Sequence, residues 1–431
     1  MKIETQRLVD RYAGQALCAL LSLVHSFRPR EAMSSAGSKL FEPKAIAILM
    51  LSEMGSMVLA QPMVAYLKER YPAVELHVVQ LGKNQEIVRL LGFAKQENMH
   101  AIDDSSLGNL LTSLYRVIRD LRRAGVDAVI DCELFARISA CIAYLSGASR
   151  IAGFTAHTQE GLYRGSFINC AVPYNPYRRI ADQFISLARG LEAAPDGASK
   201  SMPRSKLAHI GFATDSRFEK LKPLTLAQGE LSSAVAKLKV DFPQITTPNG
   251  DKPLVLLYPG GGILPIRAWP EHYFATTAKA LLDAGCAVGF IGLPVDKPLA
   301  QRLVAQLQGH DSALDLTGYT KNIRELLVLF FHAKLLITND GGPGHFAALT
   351  PIHTIMFFGP ETPTLYVPLA SSLGGETAAF YAGTPCSPCL TAYNHRTSSC
   401  DGDNVCLKEI TPEQVLAHAQ RMLGIGAEAS A

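Results

Sequence analysis

Residues 334–360, KLLITNDGGPGHFAALTPIHTIMFFGP, constrain the fold more than any other stretch of the chain. Leu335, Leu336 and Ile337 form a brief apolar run bounded by turn residues, the pattern of a buried strand. Thr338, Asn339 and Asp340 end it, and Gly341, Gly342, Pro343 and Gly344 follow. His345 to Leu349 suits one or two helical turns, and Ile352 to Phe358 reads as a second strand closed by Gly359 and Pro360. A strand, a glycine-rich turn, a helix start and a strand in that order present unpaired backbone N–H groups and a helix dipole to an anion. Glycine adds close approach, because no Cβ stands between backbone and phosphate. A tight connection in an ordinary sheet would look the same. Asp340 before the loop and His345 at the helix start, two polar groups directed at one place, favour the phosphate site.

Similar units fill the rest of the chain. Ala45 to Leu51 (AIAILML) is a continuous apolar run of the parallel-strand type. Ser52, Glu53, Met54, Gly55 and Ser56 follow as a loop, then a helix over about 58–70 and a strand from Glu75 to Gln80. Further helices are expected near 107–124, 137–145 and 180–191, with a strand at 128–131. From 193 to 251 the composition turns polar and irregular, with Pro203, Pro223, Pro243 and Pro248, and the domain junction falls there. The second half restarts with PLVLLYP at 253–259, then Gly260, Gly261 and Gly262, then Arg267, Ala268, Trp269 and Pro270. Helices are expected at 271–283, 296–307 and 324–332, with a strand at 287–292. The expected fold class is α/β, with two Rossmann-like doubly wound domains. The expected division is 1–40 as an N-terminal amphipathic helix and linker, 41–215 as the first domain, 216–250 as an interdomain linker, and 251–431 as the second domain with a cysteine-rich tail.

Within 1–40, Leu8 to Phe27 (LVDRYAGQALCALLSLVHSF) carries a broad apolar stripe and is followed by Arg28, Pro29 and Arg30. It suits a helix lying on a membrane surface, with the arginines meeting anionic lipid. More often such a helix packs on its own domain. Ala36, Gly37 and Ser38 mark the linker.

A chain of 431 residues is too long for one core. Its 48% hydrophobic and 18% charged residues describe a well-buried α/β protein, and a net charge of +3 gives nucleic-acid binding no support. The basic run from Arg116 to Arg123 has helical spacing and reads as a solvated face. The N-terminus lacks the order of a signal peptide, and no apolar run is long enough to span a bilayer. A cytoplasmic protein is expected, so its nine cysteines are expected to be reduced or metal-bound. Cys386, Cys389, Cys400 and Cys406 stand in a turn-rich segment as C-x2-C…C-x5-C. Four thiolates at that spacing can close a tetrahedral site for structural zinc or a single iron, and redox-labile thiols or disulfides fit the same pattern. Cys18, Cys132, Cys141, Cys170 and Cys286 lie in apolar surroundings and read as core. His395 reads as an exposed loop residue.

The run at 339–348 resembles the nucleotide-sugar site of the ADP-heptose:lipopolysaccharide heptosyltransferases, glycosyltransferase family nine, whose pattern is close to N-D-(S/T)-G-P-x-H-x-A-A. Asn339, Asp340, Gly342, Pro343, His345, Ala347 and Ala348 fit it, while Gly341 replaces the hydroxyl residue and Gly344 a larger one. The resemblance implies the glycosyltransferase B architecture, two domains facing across a crevice, with an acceptor domain first and a donor domain second. It also implies that the last helix, 412–423, crosses back onto the first domain. In the family a strand ending in P-G leads to a K-x-W-P lysine on the donor diphosphate. Arg267 stands at that spacing after Gly260 and Gly261, and an arginine can hold a phosphate with two parallel hydrogen bonds. An exposed loop arginine is the competing reading. Asp296 falls where the family often has an acidic residue for the ribose, although an ordinary helix cap reads the same way.

The resemblance further implies inverting transfer of a heptose from ADP-heptose to a lipopolysaccharide core or another surface glycan, with no cofactor for the chemistry. The acceptor would be lipid-linked, which suits peripheral contact with the inner face of the cytoplasmic membrane. The family's first loop is G-D-(V/I), and its aspartate is the expected base; here Ser56 stands in that place. A neutral hydroxyl cannot take the acceptor's proton alone. Glu53, three residues earlier, is the first replacement, with Asp131 or Glu133 at another strand end as alternatives. Ser56 keeps a hydrogen-bonding part toward the acceptor. A relative that binds the nucleotide sugar without turnover, and a transferase with a different sugar donor, are the rival functions.

Overall fold

The computed structural model describes residues 9–27, 41–51, 53–134, 136–155, 163–192, 218–248, 250–262, 264–394, 396–398, 400 and 403–425. Arg28, Pro29 and Arg30, the linker at 36–38, Ser52, the first part of the polar stretch through Pro203, and His395 lie outside these residues.

The chain divides into two compact units, Met1–Phe218 and Glu219–Ala431. The first is built on six parallel strands: β1 (Ala45–Met50), β2 (Glu75–Leu81), β3 (Met99–Ile102), β4 (Ala128–Asp131), β5 (Arg150–Thr155) and β6 (Cys170–Pro173). Their order is β3-β2-β1-β4-β5-β6. Every residue of β1 is buried, because the strand has a neighbour on each side and cover on both faces. The second unit repeats the plan with β7 (Leu254–Tyr258), β8 (Ala287–Gly292), β9 (Ala313–Thr317), β10 (Leu335–Asn339), β11 (His353–Phe358) and β12 (Thr377–Tyr381), in order β9-β8-β7-β10-β11-β12. Both sheets therefore have the Rossmann order 3-2-1-4-5-6, which favours ligand binding where the order reverses, at the carboxyl ends of its first and fourth strands. The α/β expectation, twice Rossmann-like, holds.

In the first unit, helix α1 (Gln15–Ser26) packs on its own domain through Cys18 and Leu21. Asp10 fixes its start by accepting from the backbone N–H groups of Arg137 and Ile138, both at 2.9 Å. The other face of α1 is uncharged and exposed, with Leu17, Leu20, Leu23, Val24 and Phe27 outward. Helix α2 (Met54–Leu59) begins earlier than the sequence suggests, directly after Glu53, whose backbone is extended. Helix α3 (Gln61–Arg70) restarts at Pro62, where a first turn needs no N–H. Helix α4 (Arg137–Leu145) carries Cys141, part of the core shared with α1.

Between β2 and β3, His77 and His100 stack with ring centroids 5.4 Å apart and a 3.1 Å nitrogen–nitrogen contact. Burial lowers the pKa of both, and burial together with the charge of His77 takes His100 down to about 4. Below pH 6.5 an unfolded chain would take up protons that the folded pair refuses. Stability is thus expected to fall as pH drops from about 6.5 to 4, at no more than about 1.4 kcal/mol per pH unit for each such ring. An NMR titration of His100 should show a midpoint near 4; a midpoint near 6.5 would contradict the burial described.

In the second unit, the stretch expected as linker contains helix α5 (Gln228–Asp241). Only Leu238 of α5 is buried, so no apolar period announces it. Helix α6 (Glu271–Asp283) flanks the core around Trp269, which stacks on Phe357 at 4.4 Å and meets Phe274 edge-on at 5.0 Å. Helix α7 (Ile323–His332) leads into β10, and the short helix α8 (Gly342–Ala347) leaves it. The last helix, α9 (Pro412–Leu423), buries Val415 and Ala419 in this same core. The reason is apolar: its buried stripe faces α6.

Candidate active site

The carboxyl ends of β7 and β10 are joined by Asn339. Its side-chain amide donates to the carbonyls of Pro259 at 3.1 Å and Gly260 at 3.0 Å, and its Oδ1 accepts from the Trp269 N–H at 2.8 Å. Buried completely, Asn339 shapes the loop. Gly261 must be glycine there, since a Cβ would lie 2.7 Å from the Pro265 Cα. Gly262 has φ +60°.

Asp340, Arg267 and His345 are gathered at the start of α8, each under a tenth exposed. The Asp340 carboxylate lies 3.8 Å from Arg267 Nε and 4.0 Å from His345 Nε2. Arg267 also donates from Nη2 to Glu361 at 2.7 Å. It is therefore a buried, ion-paired arginine, not an exposed loop residue. Gly342 and Pro343 open α8, and Gly344 packs it close to the sheet: a Cβ there would lie 2.8 Å from the Met356 sulfur. This explains the small residue at 344. Gly341 is different, because its backbone is extended and a Cβ would meet nothing nearer than 3.9 Å, so a hydroxyl residue would fit.

Asp296 closes the short turn Pro294–Asp296 that follows β8 and is half-buried. Its Oδ2 accepts from the Leu293 N–H at 2.8 Å, and its Oδ1 would stand 3.1 Å from a Cβ on Gly260. It makes no side-chain cap to the helix Lys297–Gln306. Burial, with the charge of Asp296 adding to it, pushes Tyr258 up to about 12.

Glu53 and Ser56 are in the first unit. Both are half-buried at the start of α2, where the Ser56 N–H donates to the Glu53 carbonyl at 3.0 Å. Of the alternatives, Asp131 is buried completely, ion-paired with Arg164 and bonded by Ser139 at 3.0 Å. Burial raises it to about 6 against the pull of Arg164. Glu133 accepts from the Leu51 N–H at 2.6 Å, holding the end of β1. Both carboxylates are thus built into the frame of the sheet.

Cys18, Cys132, Cys141, Cys170 and Cys286 are buried, as read from the sequence. Cys386 and Cys400 are exposed, Cys389 half-buried and Cys406 buried. Burial and the nearby Cys389, Cys386 and Cys400 push the Cys406 thiol up to about 11. Among the described residues no group of three or more His, Cys, Asp or Glu is arranged to hold a metal ion.

Sequence reasoning missed Glu361, Arg396 and Tyr366. Glu361 is 2% exposed, and the same Oε1 that binds Arg267 is 3.3 Å from Arg396 Nε. Arg396 Nη2 donates to the Tyr366 hydroxyl at 3.0 Å. The only signal was the position of Glu361, just after a strand end.

Two Rossmann-like units, the second with a glycine loop, arginine, aspartate and histidine at its switch point, are the parts of the glycosyltransferase B fold class. The sequence matches glycosyltransferase family 9 (heptosyltransferase) over residues 114–395, and the chain belongs to that family. Lipooligosaccharide heptosyltransferase 2 of Haemophilus ducreyi is 23% identical over 332 residues, 75% of this chain and 86% of that protein. The structure of E. coli ADP-heptose lps heptosyltransferase II superposes with a TM-score of 0.61 at 19% identity, covering 88% of this chain and 98% of the other. A family 9 glycosyltransferase from Veillonella parvula gives 0.64 at 19% identity, covering 90% and 99%.

Proposed function

We propose that this glycosyltransferase moves a heptose from ADP-heptose to a lipopolysaccharide core or related surface glycan, with inversion at the anomeric carbon. The observation that carries the reading is the cluster of Arg267, Asp340 and His345 at the glycine-rich start of α8 in a family 9 chain. Glu53 takes the proton from the acceptor hydroxyl as its oxygen bonds to the anomeric carbon. The bond from that carbon to the diphosphate breaks, and ADP leaves with the electron pair. Arg267 and the backbone N–H groups at Gly342 to His345 stabilise the charge that grows on the diphosphate. Gly260 and Gly261 serve as a second phosphate loop beside Arg267, Asp296 meets the nucleoside ribose, Asn339 fixes the glycine loop, and Ser56 hydrogen-bonds the acceptor. This step needs only charges and donors that the side chains and backbone supply.

The test is incubation with ADP-heptose and a heptose-deficient lipid oligosaccharide, read by mass spectrometry. An acceptor heavier by one heptose supports the reading; an unchanged acceptor with intact donor sinks it. Ser56 at the place of the family's aspartate favours a second reading, a nucleotide-sugar binder without turnover, which predicts that last result together with donor binding.

The chain is proposed to work in the cytoplasm, at the membrane face that presents a lipid-linked acceptor. The uncharged outer face of α1 supports this, bounded by Arg11 and, in the sequence, by Arg28 and Arg30. Among the described residues no helix is long and apolar enough to cross a membrane. Failure to co-sediment with anionic vesicles would remove the membrane contact. Structural zinc or iron at Cys386, Cys389, Cys400 and Cys406 is supported by the donor set, four cysteines within one segment. The sulfurs would have to draw together around it. Metal analysis finding none on protein purified without chelator would end that proposal.

A further inference from the structure

The geometry points to Arg396 as a second guanidinium of the donor site, and to Glu361 as the residue that positions Arg267 and Arg396 together for a nucleoside diphosphate. This rests on the donor reading above. Glu361 binds both arginines through one oxygen, at 2.7 Å to Arg267 Nη2 and 3.3 Å to Arg396 Nε. Ionic clusters of this kind are a poor way to hold a fold, because desolvation offsets most of the attraction. They suit a site that must keep charged donors in one place for an arriving anion. Arg396 is the more open of the two, its side chain 17% exposed against 6% for Arg267. Its guanidinium rests 5.1 Å over the Tyr366 ring, and its backbone is held in the left-handed region at φ 53°. A non-glycine residue adopts that conformation at a cost, where the surroundings impose it.

The cysteine-rich segment, 386–406, delivers this arginine. It is tied to both sides of the cluster. The Leu390 N–H donates to the Pro360 carbonyl at 2.8 Å and the Ser387 hydroxyl donates to the Gly359 carbonyl, just ahead of Glu361. On the other side, the Asn404 side chain donates to the Ile266 carbonyl at 3.1 Å, just ahead of Arg267. The segment therefore builds the diphosphate end of the donor site.

Calorimetry with ADP and AMP tests this on the full chain, for wild type, Arg396→Gln, Arg396→Lys and Glu361→Gln. Arg396→Gln should weaken ADP about ten- to a hundredfold while AMP changes by less than about threefold. Arg396→Lys should recover part of the loss, and Glu361→Gln should fall between, raising the donor KM with the acceptor KM unchanged. Equal losses for ADP and AMP would mean a merely structural cluster and overturn the inference. ADP binding unchanged in Arg396→Gln would overturn it too. Wild type binding neither nucleotide would instead remove the donor reading itself, and this inference with it.

Discussion

Glu53→Gln should lower transfer by about 10²–10⁴-fold while leaving donor affinity nearly unchanged. The side chain is half-buried, immediately before α2, and glutamine keeps its size and shape, so a melting curve of the variant beside wild type separates lost chemistry from lost fold. Its proposed role is to take the proton of the acceptor hydroxyl. A neutral amide cannot accept that proton, and Ser56 beside it cannot do so unaided. The measurement is turnover with donor saturating, alongside a donor titration. Turnover equal to wild type would place the base elsewhere. Asp131 and Glu133 are poor substitutes, since one is locked to Arg164 and the other to the Leu51 N–H.

Arg267→Ala should damage both stability and donor binding. The arginine is 5% exposed and pairs with Glu361 at 2.7 Å, with Asp340 at 3.8 Å. Removing it leaves two buried carboxylates with less compensation, which typically costs about 3–5 kcal/mol. For a domain of this size that is a fall in melting temperature of roughly 6–20 °C. Arg267→Lys keeps the charge and should cost less stability, yet it loses the planar fork that can grip a phosphate twice. Donor affinity should therefore fall in both variants and melting temperature mainly in the alanine one. A wild-type melt for Arg267→Ala would contradict the buried cluster.

Most of the fold was legible because it is written in local patterns. β1, β7 and β10 are buried on both faces, so each had to be a continuous apolar run, and each was readable as such. Helix α5 was not, because its single buried residue leaves no period to see. The start of α2 was missed for a related reason: Glu53 precedes it without the Ser, Thr, Asp or Asn signature that marks a helix start. The candidate site was legible in part. Glycine, aspartate and histidine lie together in one loop, so their spacing could speak for them. Arg267 and Glu361 are 94 residues apart in sequence, and nothing local in either position names the other. Asn339 was read as a ligand contact from its place in the motif, but only the structure reveals that its amide is occupied by the loop at Pro259 and Gly260.

The most direct test of the central claim is calorimetric titration of the purified chain with ADP-heptose, ADP, UDP-sugars and GDP-sugars. Binding of ADP-heptose and ADP, with clearly weaker binding of the uridine and guanosine compounds, is the predicted result. No affinity for any of these nucleotides would contradict the assignment of residues 334–360 as the donor site.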